Sequence, residues 1–214
     1  MRKLLFILLA LSFSLSSCSI PEAAGAAIVA GKIYIKRHWS NDFSRIYTYQ
    51  SVKLREPVQS PDSNSYAEFG IAYTSFILLP DSQASVRKVK TTEQGDLWVT
   101  MDLEFGSIFV DVSHSIGKGS FEIRTTNGVV TQQSGSMLIT QDTSTRVICT
   151  TGSASLIGDG SVVLLPNQVS SLSSRKAVPE PVSLLAEPVF SDNPMIQKLI
   201  EDRIEKITSD NSEP

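Results

Sequence analysis

The chain has 214 residues, 41% of them hydrophobic, and its 19 Lys or Arg against 22 Asp or Glu give a formal net charge of −3. This length is enough for one domain with a sizeable hydrophobic core. The mildly acidic balance argues against a nucleic-acid partner, which would favour a basic face.

The first eighteen residues have the pattern of an export signal. A cationic start at Arg2 and Lys3 precedes an apolar stretch that runs from Leu4 to Leu11. This stretch is shorter than the roughly 20 residues that span a bilayer, so we expect a cleaved signal peptide over residues 1–17. The following Leu-Ser-Ser-Cys, which ends at Cys18, resembles the lipobox of bacterial lipoproteins. That resemblance implies acylation of the Cys18 thiol by a diacylglycerol.

The lipobox resemblance also gives an expected location. A lipid on Cys18 would hold the protein to a membrane of the bacterial cell envelope. Ser19 stands directly after the cysteine where retained lipoproteins have aspartate, and this resembles cargo that is sorted to the outer membrane. Residues 18–27 are small and featureless, and we expect them to form a lipid-anchored tether.

Residues 28–172 have the pattern of an all-β domain. Short apolar runs rich in Val, Ile, Thr and Phe recur there, separated by turn-forming clusters at roughly 8–12 residue spacing. Between Leu97 and Glu104 the alternation predicts that Leu97, Val99, Met101 and Leu103 are buried. Four glycines between runs are predicted to form sharp corners, namely Gly70, Gly106, Gly135 and Gly152. We predict a sandwich- or solenoid-like stack of short antiparallel strands.

The C-terminal part differs in character. Residues 173–192 contain Pro179, Pro181 and Pro188 and are predicted to be an extended linker. Residues 193–208 are predicted to form an amphipathic helix, and residues 209–214 a disordered tail. The apolar stripe of the helix would pack on the body or bind a partner, and it consists of Ile196, Leu199, Ile200, Ile204 and Ile207.

The order of the strands and glycines in residues 28–172 resembles the FecR-like extracytoplasmic β-domain. Three segments carry the resemblance: the run from Gly119 to Thr126, the run from Val147 to Leu156 around Gly152, and the run from Val163 to Gln168. Thr126 stands where the family commonly has proline, and Asn167 where it has glycine. The resemblance implies a sensory or binding domain without catalysis. Family members with a spanning helix relay signals to a sigma factor, and we do not expect that relay here.

No residue pattern predicts an enzyme, a metal site or a cofactor. His38 and His114 lack the local spacing of zinc ligands, and there is no Gly-x-Ser-x-Gly motif. Three carboxylates suggest glycoside hydrolysis only weakly, because alternation favours solvated positions for Asp102, Glu104 and Asp111. Cys149 lies in a β-rich run and is expected to be a small buried hydrophobe.

Two functions remain open from the sequence. The first is a non-enzymatic envelope lipoprotein that acts as a binding, scaffold or sensory domain for an envelope protein. The alternative is a lectin-like module for peptidoglycan or surface glycan, because aromatic side chains could stack on sugars at Trp39, Tyr47, Tyr49 and Trp98. The candidate ligand or partner surface comprises Trp39, Trp98, Ile196, Leu199, Ile200 and Ile204.

Overall fold

The computed structural model describes residues 22–112, 116–158, 160–172, 180–181 and 194–210. These residues form one helix, α1 (Pro194–Asp210), and fifteen strands. The strands are β1 (Glu22–Ala30), β2 (Ile33–Lys36), β3 (Phe43–Ile46), β4 (Ser51–Lys53), β5 (Val58–Ser60), β6 (Tyr66–Ile71), β7 (Thr74–Leu78), β8 (Ser82–Thr91), β9 (Leu97–Val112), β10 (Ser120–Arg124), β11 (Val129–Gln141), β12 (Thr145–Ile157), β13 (Ser161–Leu164), β14 (Gln168–Ser171) and β15 (Glu180–Pro181).

The all-β prediction is confirmed, and one continuous sheet folds over a shared apolar core. We call β8, the first half of β9 and β10 the first layer, and β6, β7, the second half of β9, the second half of β11, the first half of β12 and β14 the second layer. Hydrogen bonds connect every described strand into one network, in which β9 and β10 pair in parallel and the other described pairs are antiparallel. The predicted alternation holds in β9, where Leu97, Val99, Met101 and Leu103 are buried. Since inward side chains from both layers belong to one apolar cluster, the core lies between the layers.

Three strands are much longer than the sequence predicts and pass from one layer to the other. Strand β9 has 16 residues, and β11 and β12 have 13 each. Strand β9 joins two apolar runs that the sequence predicts as separate strands, residues 97–103 and 107–112. Between Leu103 and Ile108 the core-facing positions change from odd to even numbers. Such a change of face at a bend is how a strand turns a sandwich corner.

Glycine makes the second corner possible. Gly135 of β11 lies opposite Gly152 of β12, with φ of +94° and +73°. A Cβ on Gly135 would lie 2.2 Å from the Thr151 carbonyl oxygen, so the two backbones can approach this closely only because neither residue has a side chain.

The other two predicted corner glycines differ from each other. Gly106, at the bend of β9, also has a positive φ, +84°. The corner prediction is wrong for Gly70, which lies within β6 opposite Gly25 and Ser75 in regular pairing.

The first strand begins earlier than expected. Strand β1 starts at Glu22, so residues 22–27, predicted to be tether, belong to the sheet between β4 and β6. Ala23, Ala24 and Ala26 are buried there. Their small side chains suggested a featureless linker, but they also suit a strand packed closely on both sides. At most residues 18–21 remain for a tether.

Helix α1 packs on the outer face of the second layer, which resolves the two alternatives left by the sequence. A row of register partners crosses this face, consisting of Glu68, Ile77, Phe109, Leu138, Ile148 and Val169. Ile200 of α1 is 0% exposed within the cluster that contains the apolar members of this row, and Ile204 packs against it. These two residues therefore do not form a free partner surface.

The remaining predicted segments are only partly described. The predicted linker contributes β15, which pairs with β14, and the rest of residues 173–192 lies outside the described residues. The same holds for the predicted signal peptide, for Cys18 and for residues 211–214. The helix continues through Asp210, beyond its predicted end at 208. Among the described residues, no helix combines the length and apolar character needed to cross a membrane.

Candidate binding site around Trp98

Three neighbouring strands of the first layer build a polar surface around Trp98. In the register of the sheet, Trp98 of β9 lies between Lys90 of β8 and Ser120 of β10. One step along the strands, Thr100 lies between Lys88 and Glu122. Because the alternate residues of β9 fill the core, these side chains all face outward.

The outward face contains a cavity of about 430 Å³. Its lining is mainly polar and includes four cationic side chains, one carboxylate and one indole. The lining residues are Arg55, Arg87, Lys88, Trp98, Val99, Thr100, Ser120, Glu122 and Arg124. This volume lies in the range of small-molecule binding sites, although such sites are usually more apolar.

Two of the four cations are fixed by ion pairs. The Arg87 Nε lies 2.8 Å from the Asp102 Oδ2, and the Arg124 Nε lies 2.7 Å from the Glu122 Oε1. The hydrogen bond and the charge of Glu122 raise the pKa of Arg124. These pairs hold the guanidinium groups in place along the sheet face, although exposed pairs contribute little to stability.

The other two cations carry the excess positive charge of the cavity. Arg55 and Lys88 have exposed side chains and form no ion pair among the described residues. Arg55 is positioned by its backbone, whose N–H donates to the Val86 carbonyl at 2.7 Å. The cavity therefore has a net attraction for an anionic group such as a carboxylate or phosphate.

Trp98 adds an aromatic surface to this charged site. Its side chain is half-buried, and the Lys90 Nζ lies 5.2 Å from the ring centroid. A cation at this distance interacts favourably with the indole and helps to fix its orientation. The arrangement can bind a ligand that combines an anionic group with a flat or stacking surface.

The three carboxylates considered for catalysis each have a different partner. Asp102 is paired with Arg87, while Glu104 accepts a hydrogen bond from Gln83. The expected solvated position is wrong for Asp111, which is buried on the face covered by α1, with its Oδ2 3.9 Å from the Arg203 Nε. These carboxylates are partnered separately, so they do not form an acid–base pair.

The histidines and the cysteine do not contribute to the cavity. The His38 ring nitrogen contacts the Leu54 carbonyl at 2.7 Å, and His114 lies outside the described residues. Cys149 is fully buried in the core, as predicted, and burial raises the pKa of its thiol to about 11. Among the described residues, no three His, Cys, Asp or Glu side chains cluster in a way that could hold a metal ion.

The predicted surface residues are divided among different parts of the molecule. Trp98 lines the cavity, whereas Trp39, Tyr47 and Tyr49 are exposed elsewhere and do not line it. Ile200 and Ile204 pack beneath α1, and the side chains of Ile196 and Leu199 are outside what the structure describes. The predicted platform of four aromatics is therefore not assembled around Trp98.

Sequence reasoning missed the charged lining of the cavity. The alternation of Glu122 and Arg124 along β10 was the available signal, because both must share one face. The neighbours of that face could not be read from the sequence. They depend on the parallel pairing of β10 with β9 and on a backbone contact that brings Arg55 to β8.

The fold has counterparts among solved structures. A crystal structure of a candidate anti-sigma factor from Parabacteroides distasonis, at 2.50 Å resolution, matches with a TM-score of 0.51 and 17% sequence identity, over 67% of this chain and 71% of that chain. Another, described in the same words and solved at 1.65 Å, has a TM-score of 0.48 and 16% identity, over 59% of this chain and 60% of that chain. The first likeness shows a shared fold. No family profile and no curated protein sequence matches the chain.

Proposed function

We propose that this chain is a non-enzymatic binding domain of the bacterial cell envelope, related to FecR-like extracytoplasmic domains and anchored by a lipid on Cys18. Its location is the outer membrane, and it binds its ligand through the cavity around Trp98. The sigma-factor relay of spanning family members is not part of this proposal.

The observation that carries the proposal is the charge of the cavity. Four cations surround one indole within about 430 Å³, and Arg55 and Lys88 have no anionic partner among the described residues. Two fixed ion pairs beside them give the site a defined shape. A site of this kind suits recognition of an anionic ligand better than bond cleavage, which needs a positioned acid, base or nucleophile.

Two further observations support the proposal. The fold is shared with a structure described as a candidate anti-sigma factor, a class of protein that acts by binding. In addition, the segment with the clearest resemblance to FecR-like domains, residues 119–126, contains strand β10. Its outward residues Ser120, Glu122 and Arg124 form one wall of the cavity.

An acidic glycan is the second candidate ligand, and Trp98 favours it. An indole beside unpaired cations can stack on a sugar ring while Lys88 or Arg55 meets a carboxylate. Peptidoglycan fragments carry both groups. An envelope protein with an acidic segment would satisfy the same cations and would leave Trp98 as an apolar contact.

Fluorescence titration distinguishes these ligands. The Trp39→Phe variant leaves Trp98 as the single tryptophan of the chain, and soluble peptidoglycan fragments serve as the acidic probe, with dextran as the neutral one. For a glycan ligand we expect saturable binding of the acidic probe, at least tenfold weaker after Lys88→Glu. Lys118→Glu, which changes the same charge at an exposed position outside the cavity, should have no effect.

A photoreactive residue at Ser120 tests for a protein ligand in cells. If the glycan probe does not bind, we expect a cross-link from position 120 to one envelope protein, lost after Lys88→Glu and kept after Lys118→Glu. The absence of both glycan binding and a Lys88-dependent cross-link would contradict the proposed function.

A further inference from the structure

The segment of residues 32–55 differs sharply in charge from the rest of the chain. It contains a single acid, Asp42, and six cations: Lys32, Lys36, Arg37, Arg45, Lys53 and Arg55. The segment therefore has a net charge of +5 in a chain whose net charge is −3. A local excess of this size favours an anionic partner.

The same segment exposes four aromatic side chains. Trp39 is 72% exposed, Tyr47 55% and Tyr49 90%, and Phe43 is also exposed. Two cations lie against these rings, with the Lys53 Nζ 5.5 Å from the Trp39 centroid and the Arg45 Cζ 5.3 Å from the Tyr47 centroid. Exposed aromatics interleaved with cations are typical of surfaces that lie at a membrane interface.

The loop that carries Trp39 is held in place from inside. The Glu56 side chain is 0% exposed, and its carboxylate accepts hydrogen bonds from Arg37 and from the Lys53 backbone, both at 2.9 Å. The Arg37 guanidinium also donates to the Ser51 carbonyl at 2.8 Å. Since this carboxylate neutralises Arg37, the positive charge of the outer surface comes from the cations that lie against the exposed rings, Arg45 and Lys53.

The start of the chain's first strand lies beside this surface. Glu22 is the register partner of Lys53, and Ala26 exchanges backbone hydrogen bonds with the loop at Tyr49 and Gln50. Cys18 is four residues before Glu22 in the sequence. Four residues span at most about 14 Å, so an acylated Cys18 would hold this part of the molecule next to the bilayer.

We propose that the membrane seat, defined as Trp39, Arg45, Tyr47, Tyr49 and Lys53, rests on the anionic phospholipid surface that carries the anchor. This inference rests on the proposed lipid at Cys18. Trp and Tyr prefer the headgroup region, and Lys and Arg are attracted by anionic lipids. The seat fixes the orientation of the sandwich on the membrane.

A lipid surface is favoured over other anionic partners by position. The stretch between Cys18 and β1 is too short to lift this edge of the sandwich far from the membrane. The cavity around Trp98 has a different lining and does not include any residue of the seat. The two surfaces therefore serve different partners, the seat for lipid and the cavity for the ligand.

The two tryptophans of the chain make a direct test possible, because one lies in each surface. The full chain is expressed in a bacterium, purified from its membranes in detergent and reconstituted into vesicles of phosphatidylglycerol and phosphatidylcholine with brominated acyl chains. Trp98→Phe leaves Trp39 as the reporter, and Trp39→Phe leaves Trp98. We expect the brominated lipid to quench Trp39 at least threefold more strongly than Trp98.

Reversing the charge of the two cations of the seat gives a second test in the same quenching experiment. Arg45→Glu combined with Lys53→Glu should at least halve the quenching of Trp39, and so should replacement of phosphatidylglycerol by phosphatidylcholine. Lys118→Glu, also an exposed charge reversal but outside the seat, should leave it unchanged. Circular dichroism of each variant verifies that the β-sheet is intact.

The outcomes separate the seat from the anchor. Vesicle-bound protein in which both tryptophans are quenched equally would overturn the seat while leaving the anchor in place. Protein that does not associate with vesicles would overturn the seat, and the mass of its N-terminal peptide would then show whether Cys18 is unmodified and the anchor wrong as well.

Discussion

Arg203 of helix α1 donates a hydrogen bond to Glu68 of strand β6, 135 residues earlier in the chain. The same guanidinium lies 3.9 Å from the Asp111 carboxylate, and only 8% of each of these two acidic side chains is exposed. The outer face of the second layer thus presents an apolar row with acids beside it. The helix matches both features, with Ile200 on the apolar row and Arg203 on the acids.

Docking of the helix should contribute measurably to stability. We expect Ile200→Ala to lower the free energy of unfolding by about 2–4 kcal/mol, because it removes a fully buried side chain from a packed cluster. Urea unfolding followed by circular dichroism measures the change. Lys198→Ala, at an exposed position of the same helix, should change it by less than about 0.5 kcal/mol.

Deletion of residues 193–214 should have a larger effect than Ile200→Ala, since it uncovers the whole apolar row. If the shortened chain and Ile200→Ala both unfold at the same urea concentration as the intact protein, the helix is not part of the folded body.

The pair between Arg203 and Glu68 should show energetic coupling. Arg203→Met leaves two nearly buried carboxylates without this cation, and we expect a loss of about 1–3 kcal/mol. In the double variant with Glu68→Gln the loss should be smaller than the sum of the two single losses by more than about 0.5 kcal/mol. A double-mutant cycle from urea unfolding measures this difference, and strict additivity would contradict the contact.

The helix illustrates what the sequence can and cannot predict. Its start near Pro194 follows from local signals and is confirmed, and of the predicted apolar stripe Ile200 and Ile204 are seen to pack on the body. The face that receives it could not be predicted, because its row is assembled from strands between Glu68 and Val169. Side chains so far apart in sequence become neighbours only through the register of the sheet.

The corner at Gly135 should tolerate no side chain. We expect Gly135→Ala to lower the free energy of unfolding by about 2–4 kcal/mol, because φ is +94° and the new Cβ would collide with the Thr151 carbonyl. Gly70→Ala is the matched control within a strand, since a Cβ there meets nothing within 4 Å. Thermal unfolding compares them, and equal losses for the two variants would contradict the assigned corner.

Backbone geometry also accounts for Asn167, the position at which the sequence departs from the pattern that it resembles. The φ of Asn167 is +61°. Asparagine adopts this conformation more readily than most residues, so the turn before β14 is preserved without glycine. Local sequence thus predicted the corners at Gly106, Gly135 and Gly152, and it wrongly predicted one at Gly70. It did not predict the charged cavity, which needs the parallel pairing of β9 with β10.

The buried Glu56 should be essential for the order of the loop that carries Trp39. Glu56→Ala removes the acceptor of the Arg37 and Lys53 hydrogen bonds, and we expect a loss of about 2–4 kcal/mol in the free energy of unfolding. Urea unfolding measures the loss, and Glu104→Ala is the control at an exposed carboxylate. A smaller loss for Glu56→Ala than for Glu104→Ala would show that the buried pair does not support this loop.

Burial of Cys149 should make stability fall in alkaline solution. The pKa of the folded thiol is raised to about 11 from the ordinary value of 9.0, so the unfolded chain loses this proton first as the pH rises. Folding therefore opposes ionisation of the thiol. The stability that the protonated thiol contributes to the folded state is fully present below pH 9 and is lost as the pH approaches 11. We expect the free energy of unfolding to fall by up to about 3 kcal/mol over this interval because of this thiol.

Cys149→Val separates this effect from the titration of lysines and tyrosines, because it keeps an apolar side chain of similar size in the core. The difference in unfolding free energy between the two proteins, measured in urea from pH 8 to 11, should change with pH in favour of the variant. A thiol reagent added at pH 8 should label Cys149 only after unfolding, since the folded thiol is both covered and protonated. Rapid labelling of the folded chain at Cys149, or parallel stability curves for the two proteins, would contradict the buried position of this residue.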